Sequence, residues 1–327
     1  MRDCGAPLRF KPDLVVYNDP IAANSNQGGY GKALADLTKA IRLDPKYSMA
    51  FFDRGLAYGR KGAYEKAVAD CTEAIRLDPK NAKAYYNRAV FYYAKGDHGK
   101  AIADLSEAIR IDPYFVQSYI SRGKAYDEKG DYEKALADYI TASSFKGFDI
   151  AAYCGRGDVY AKLGDYDKAL ADYNEAVGYG PEEAQAYGFR GDFYVKTGSY
   201  EKAFGDYTEA IRLKPDYGHA YHGRAVVYEN QGAHDKAIAD FSEAIRLDPE
   251  GAAAYQMWGN AHLKKGDKAK AEADFSKAKA LGFKDIDKVI ASRPMLAFFL
   301  HNWFPTPGAT RTCRKDSGPS PEPTLAR

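Results

Sequence analysis

Long hydrophobic runs are missing from this chain of 327 residues. The longest near either end, Met295 to Leu300, falls far short of the roughly 20 apolar residues a spanning helix needs, so no membrane association is predicted. An excess of one charge is missing as well. The 47 Lys and Arg stand against 45 Asp and Glu, a formal net charge of +2 that provides no overall field to draw in nucleic acid. Cysteine is scarce: Cys4, Cys71, Cys154 and Cys313 show no CxxC spacing, which argues against a disulfide framework and predicts a reducing, cytoplasmic setting. Met1 to Pro12 lacks the apolar core of a secretory leader. P-loop, GxSxG, HExxH and dinucleotide-binding fingerprints are absent too, so neither an enzyme nor a cofactor is predicted.

What the chain has is a period. Pro45, Pro79 and Pro113 stand 34 residues apart, and Pro181, Pro215 and Pro249 continue the series, with Gly147 and Phe283 in the remaining slots. Counting the proline as position 32 sets eight units starting at Leu14, Ser48, Ala82, Val116, Ile150, Ala184, Gly218 and Ala252. Position 4 is aromatic throughout, from Tyr17 to Tyr255, and position 11 is Tyr in six units, from Tyr58 to Tyr228. Position 8 is Gly or Ala from Gly55 on, so positions 4, 8 and 11 form one helix face on which a small residue lets a second helix approach. Position 15 is Gly in every unit, from Gly28 to Gly266, and in five units Asp97, Asp131, Asp165, Ser199 or Asp267 follows it, side chains suited to cap a new helix. The second helix carries Ala at positions 20 and 27 and ends before the proline. Each unit is predicted to be a helix hairpin.

A 34-residue unit with Gly or Ala at position 8, Tyr at 11, Gly at 15, Ala at 20 and 27 and Pro at 32 resembles the tetratricopeptide repeat; Ala89, Tyr92, Gly96, Ala101, Ala108 and Pro113 show the pattern in one unit. The resemblance implies an all-α fold, a right-handed α-solenoid whose first helices line a concave groove that binds a segment of another protein. Some family members clamp acidic chaperone tails with Lys at position 5 and Asn at positions 9 and 6. No pair of units here supplies that set, since Asn87 follows a unit offering Phe52 and Leu56.

The units also depart from the pattern. Pro20 falls at position 7 of the first unit, inside its first helix, which makes residues 1–27 a loose N-terminal segment before an array over 28–285. Residues 286–300 are apolar enough to cap the array, and 301–327 are Pro-rich and read as a disordered tail. A homodimer through this C-terminal segment is the alternative structural reading. Position 7 of the second to seventh units is Arg54, Arg88, Arg122, Arg156, Arg190 and Arg224, and position 23 is Asp in all eight units, among them Asp70, Asp104, Asp138, Asp172 and Asp206. One charge pair per unit suits an ion-pair ladder at the helix seams better than a binding site, which needs convergence in one place. The spacing does not say whether each Arg meets the Asp of its own unit or of the one before.

Positions 2, 5, 9, 12 and 13 of the first helix are free of the packing pattern and, by the resemblance, face the groove. In the second and third units they hold Met49, Phe52, Leu56, Tyr86, Val90 and Tyr93, an apolar set. In the next three they hold Lys124, Asp127, Asp158, Lys162, Asp192 and Lys196, a mixed-charge set. This predicts a bipartite groove with an apolar anchor and a charged register. His219 and His222 lie three apart on one helix face and are the remaining metal-ligand candidates, with Glu229 or a residue of a neighbouring repeat as a third donor.

Overall fold

The computed structural model describes residues 27–145 and 149–282, and the regular structure within them is entirely helical. Fifteen helices succeed one another there: α1 (Gln27–Leu43), α2 (Ser48–Arg60), α3 (Tyr64–Leu77), α4 (Ala82–Ala94), α5 (His98–Ile111), α6 (Val116–Lys129), α7 (Tyr132–Ser143), α8 (Asp149–Leu163), α9 (Tyr166–Tyr179), α10 (Ala184–Lys196), α11 (Tyr200–Leu213), α12 (Gly218–Asn230), α13 (His234–Leu247), α14 (Ala252–Lys265) and α15 (Lys268–Ala280). α1 is the second helix of the first unit, and seven complete hairpins follow, α2 with α3 through α14 with α15. The segments expected before Gln27 and after residue 282, including the capping helix at 286–300 and the tail, lie outside the described residues.

Each reversal inside a hairpin is made by the position-15 glycine. Gly62, Gly96, Gly130, Gly164, Gly198, Gly232 and Gly266 all take φ between +73° and +94°, where a side chain is strained. The following helix is capped by a carboxylate in three hairpins: Asp97, Asp131 and Asp165 accept from the backbone N–H of Lys100, Lys134 and Lys168. Ser199 and Asp267 make no such bond.

Packing follows from residue size. The alanines at positions 20 and 27, such as Ala67, Ala74, Ala203 and Ala210, are fully buried and let the two helices of a hairpin close on each other. The larger residue at position 24 fills the space that remains. Tyr207 is buried to 1% exposure against Gly191, where an added Cβ would stand 2.8 Å from the ring. Burying such a ring contributes roughly 1.5–3 kcal/mol. Along the stack, each second helix packs on the first helix of the next hairpin, and first helices of neighbouring hairpins, such as α6 with α8 and α10 with α12, also touch one another. First helices therefore crowd one side of the solenoid, which makes theirs the concave face.

Candidate functional site

The Arg and Asp of positions 7 and 23 meet within one unit. Arg54, Arg88, Arg122, Arg156, Arg190 and Arg224 each donate from Nε and Nη2 to both carboxylate oxygens of Asp70, Asp104, Asp138, Asp172, Asp206 and Asp240 at 2.6–2.9 Å. The bidentate geometry and burial of the aspartates make these strong, rigid links between the two helices of each hairpin. In four units Nη1 adds a bond to position 25 of the preceding unit: Thr38, Thr72, Ser106 or Asn174. Each guanidinium also lies 5.0–5.8 Å over the position-4 ring, Phe51 for Arg54 and Tyr153 for Arg156. One arginine thus ties three elements together.

On the first-helix face, the apolar set divides. Met49 and Val90 are 41% and 38% exposed. Phe52 is buried, contrary to its expected place on an open surface: position 5 of α2 turns inward onto Ala74, Ile75 and Ala84. Leu56 is half-buried between the same cluster and that of Cys71 and Phe91. Tyr86 is half-buried against Phe115, ring centroids 4.9 Å apart. Tyr93 meets His98 at 4.9 Å, with Lys124 Nζ 5.3 Å over its ring.

The charged set is engaged along the array. Lys162 Nζ donates to Asp127 at 2.7 Å, from position 13 of one unit to position 12 of the unit before. The same relation recurs between Lys264 and Glu229 at 2.6 Å. Where position 12 is Ala161 no carboxylate is offered, and Lys196 donates to the Ala161 carbonyl at 3.1 Å instead. Burial lowers the Lys196 pKa. Asp158 accepts from the Tyr173 hydroxyl at 2.6 Å and Asp192 from the Tyr207 hydroxyl at 2.7 Å. Burial pushes the Asp158 pKa up to about 6 despite that bond. These tyrosines reach from the second helix to the groove carboxylates, a link sequence reading missed; the paired change to Asp at position 9 and Tyr at position 24 was the available signal.

The two histidines have separate surroundings. His219 Nε2 lies 2.8 Å from Asp192 Oδ2, and although burial disfavours the imidazolium, Asp192 outweighs it and raises the pKa. His222 packs edge-on to Phe241 at 5.5 Å, and burial, with the charge of His219, pushes its pKa down to about 3. Glu229, the candidate third donor, is held by His234 at 2.8 Å and by Lys264. Among the described residues, no group of three or more His, Cys, Asp or Glu has the arrangement to hold a metal ion. Cys71 and Cys154 are buried, with thiol pKa values pushed up by desolvation, to about 12 for Cys71, which disfavours the thiolate form.

Family models of the tetratricopeptide repeat match residues 60–96 and 123–164, 82–115 and 219–250, 154–218, and 252–281. The chain belongs to the tetratricopeptide repeat family. Among solved structures, this tetratricopeptide repeat chain is similar to yeast Tom70, with a TM-score of 0.69 and 18% identity over 81% of this chain and 57% of that one. It is also similar to a tetratricopeptide repeat protein from Parabacteroides merdae, with a TM-score of 0.58 and 22% identity over 75% of this chain and 97% of that one. A chain of the Cut9–Hcn1 hetero-tetramer of APC/C gives a TM-score of 0.58 at 16% identity, over 80% of this chain and 52% of that one. At such identities the likeness shows the solenoid fold. No curated protein matches the sequence. No described helix is long and apolar enough to cross a membrane.

Proposed function

We propose that this protein is a non-catalytic scaffold that binds a segment of another protein along the first-helix face, anchored by apolar contact near its N-terminal end. The observation that carries this reading is the exposure of Met49 and Val90 on neighbouring first helices, beside half-buried Leu56, Tyr86 and Tyr93. Exposed apolar side chains grouped on one face favour a partner that covers them. Further along, Lys124, Asp127, Asp158, Lys162, Asp192 and Lys196 set the register of the bound segment by charge.

The test is capture from a native extract with the wild type and with Met49→Asp combined with Val90→Asp. Loss of a specific partner with unchanged helical circular dichroism supports the reading. Identical partners for both baits overturn it. Phe52→Ala is unsuited to this purpose, because a buried aromatic removed from α2 disturbs the fold itself.

A further inference from the structure

The eighth unit breaks the arginine pattern while keeping the groups that arginine serves. Position 7 is Trp258, yet position 23 is still Asp274 and position 25 of the preceding unit is still a hydroxyl, Ser242. Between α13, α14 and α15 these residues line a cavity of about 510 Å³ together with His262 and Asp235. Asp274 is 9% exposed and its Oδ2 makes no hydrogen bond. The nearest charge partner of that oxygen is His262 Nε2, 3.9 Å away, and the buried Nδ1 of the same ring makes no hydrogen bond either. Lys270, also on the lining, points its ammonium to Asp267 at 3.8 Å, and Asp235 is bridged by Lys265.

In the hairpins before it, the carboxylate of position 23 and, in four of them, the polar side chain of position 25 receive a guanidinium stacked on an aromatic ring. In the last hairpin the same acceptors border a cavity, with the Trp258 indole as the aromatic wall. We propose that this cavity is a binding site for a guanidinium group, an arginine side chain, held by the Asp274 carboxylate, the Ser242 hydroxyl and the face of Trp258. Chemistry of this kind selects arginine over lysine, because the carboxylate receives two parallel N–H bonds from a planar fork and only one from an ammonium. Burial raises the pKa of Asp274, consistent with a carboxylate that lacks the cation its counterparts have. The site lies away from the first-helix groove and does not depend on it.

The arginine has two sources: a separate molecule, or residues 283–327 of this chain, which include Arg293, Arg311, Arg314 and Arg327. The experiment is titration of the full-length, nitrogen-15-labelled protein with L-arginine amide, followed by the Trp258 indole signal and by calorimetry. Saturable one-to-one binding by the wild type, at least about tenfold weaker in Asp274→Asn and absent for the isosteric, uncharged L-citrulline amide, supports the site with an external source. A silent wild type supports the site with an internal source if the variant carrying Gln in place of those four arginines binds the probe and loses it on adding Asp274→Asn. Binding that survives Asp274→Asn, equal response to L-citrulline amide, or no binding by either protein overturns the proposal.

Discussion

The hairpins α4–α5 and α10–α11 have the same backbone and fill it differently. In the first, position 24 is Leu105, position 8 is Ala89 and the groove residue at position 9 is Val90. In the second, position 24 is Tyr207, position 8 is Gly191 and position 9 is Asp192. The larger ring needs the missing Cβ, and its hydroxyl then reaches a carboxylate on the concave side at 2.7 Å. The groove surface is therefore coupled to the core in the middle of the array, where a polar network fixes its charges from beneath. Toward the N-terminal end it is an apolar skin over an apolar core.

Both regions share the Arg–Asp seam, and removing it should produce the largest effect. Arg190→Ala leaves Asp206, 9% exposed at its side chain, without its cation and takes a hydrogen bond from Asn174. We expect a loss of about 3 kcal/mol, at the lower end for a broken buried pair, read as a fall in the urea midpoint. Arg88→Ala in the N-terminal region should cost a similar amount, since Asp104 and Thr72 are left in the same way. Arg212→Ala, which removes a solvent-exposed pair with Glu209 three residues away, should leave the midpoint unchanged. Equal effects of Arg190→Ala and Arg212→Ala would show that the seam is no more than surface charge.

A smaller effect separates the two regions. Tyr207→Phe removes the bond to Asp192 while keeping the ring, at an expected cost of about 1.5–3 kcal/mol for a hydrogen bond to a charged group. It also frees Asp192 to act more fully on His219, so the His219 titration midpoint should rise above its wild-type value. If the His219 midpoint and the stability are both unmoved, the coupling of core to groove is wrong.

The hairpins, their boundaries and the packing of small against large residues were legible because they recur at one period, and each copy restates the same steric requirement. The position-15 glycines marked where one helix ends and the next begins, and the structure adds that they do so in the left-handed backbone region. The Arg–Asp pairing was visible as a co-occurrence, but its direction was not, because positions 7 and 23 are set across from each other in space by the hairpin and not by spacing along the chain. Phe52 shows a second limit. A groove position is assigned by helical angle, and a bulky side chain at the edge of that angle turns inward when the neighbouring alanines Ala74 and Ala84 leave room. The links from Lys162 to Asp127 and from Lys264 to Glu229 escaped notice because a 35-residue offset does not coincide with the 34-residue period.

The smallest net effect concerns pH, because the central hairpins hold buried groups of opposite tendency. Asp158 has its folded pKa raised to about 6 from an ordinary 3.8, and Asp53 in α2 shows the same rise, both through burial. Such a group contributes stability that is fully present below its unfolded pKa and is lost as pH rises through the folded value. His222 has its folded pKa lowered to about 3 from 6.5, so its contribution is present above the unfolded value and is lost as pH falls toward the folded one. Between about pH 4 and 6 the slopes oppose each other, but two raised aspartates outweigh one lowered histidine, so these groups together favour stability on the acid side. Asp158→Asn removes one of the two raised carboxylates, so the Asp53 and His222 slopes nearly cancel and the variant should gain less stability on acidification than the wild type. His222→Phe removes the opposing histidine, and its stability should rise more steeply than that of the wild type as pH falls through the same window. Urea midpoints at several pH values across that range decide the matter: three parallel profiles would mean that neither group is buried in the charge-excluding way its position implies.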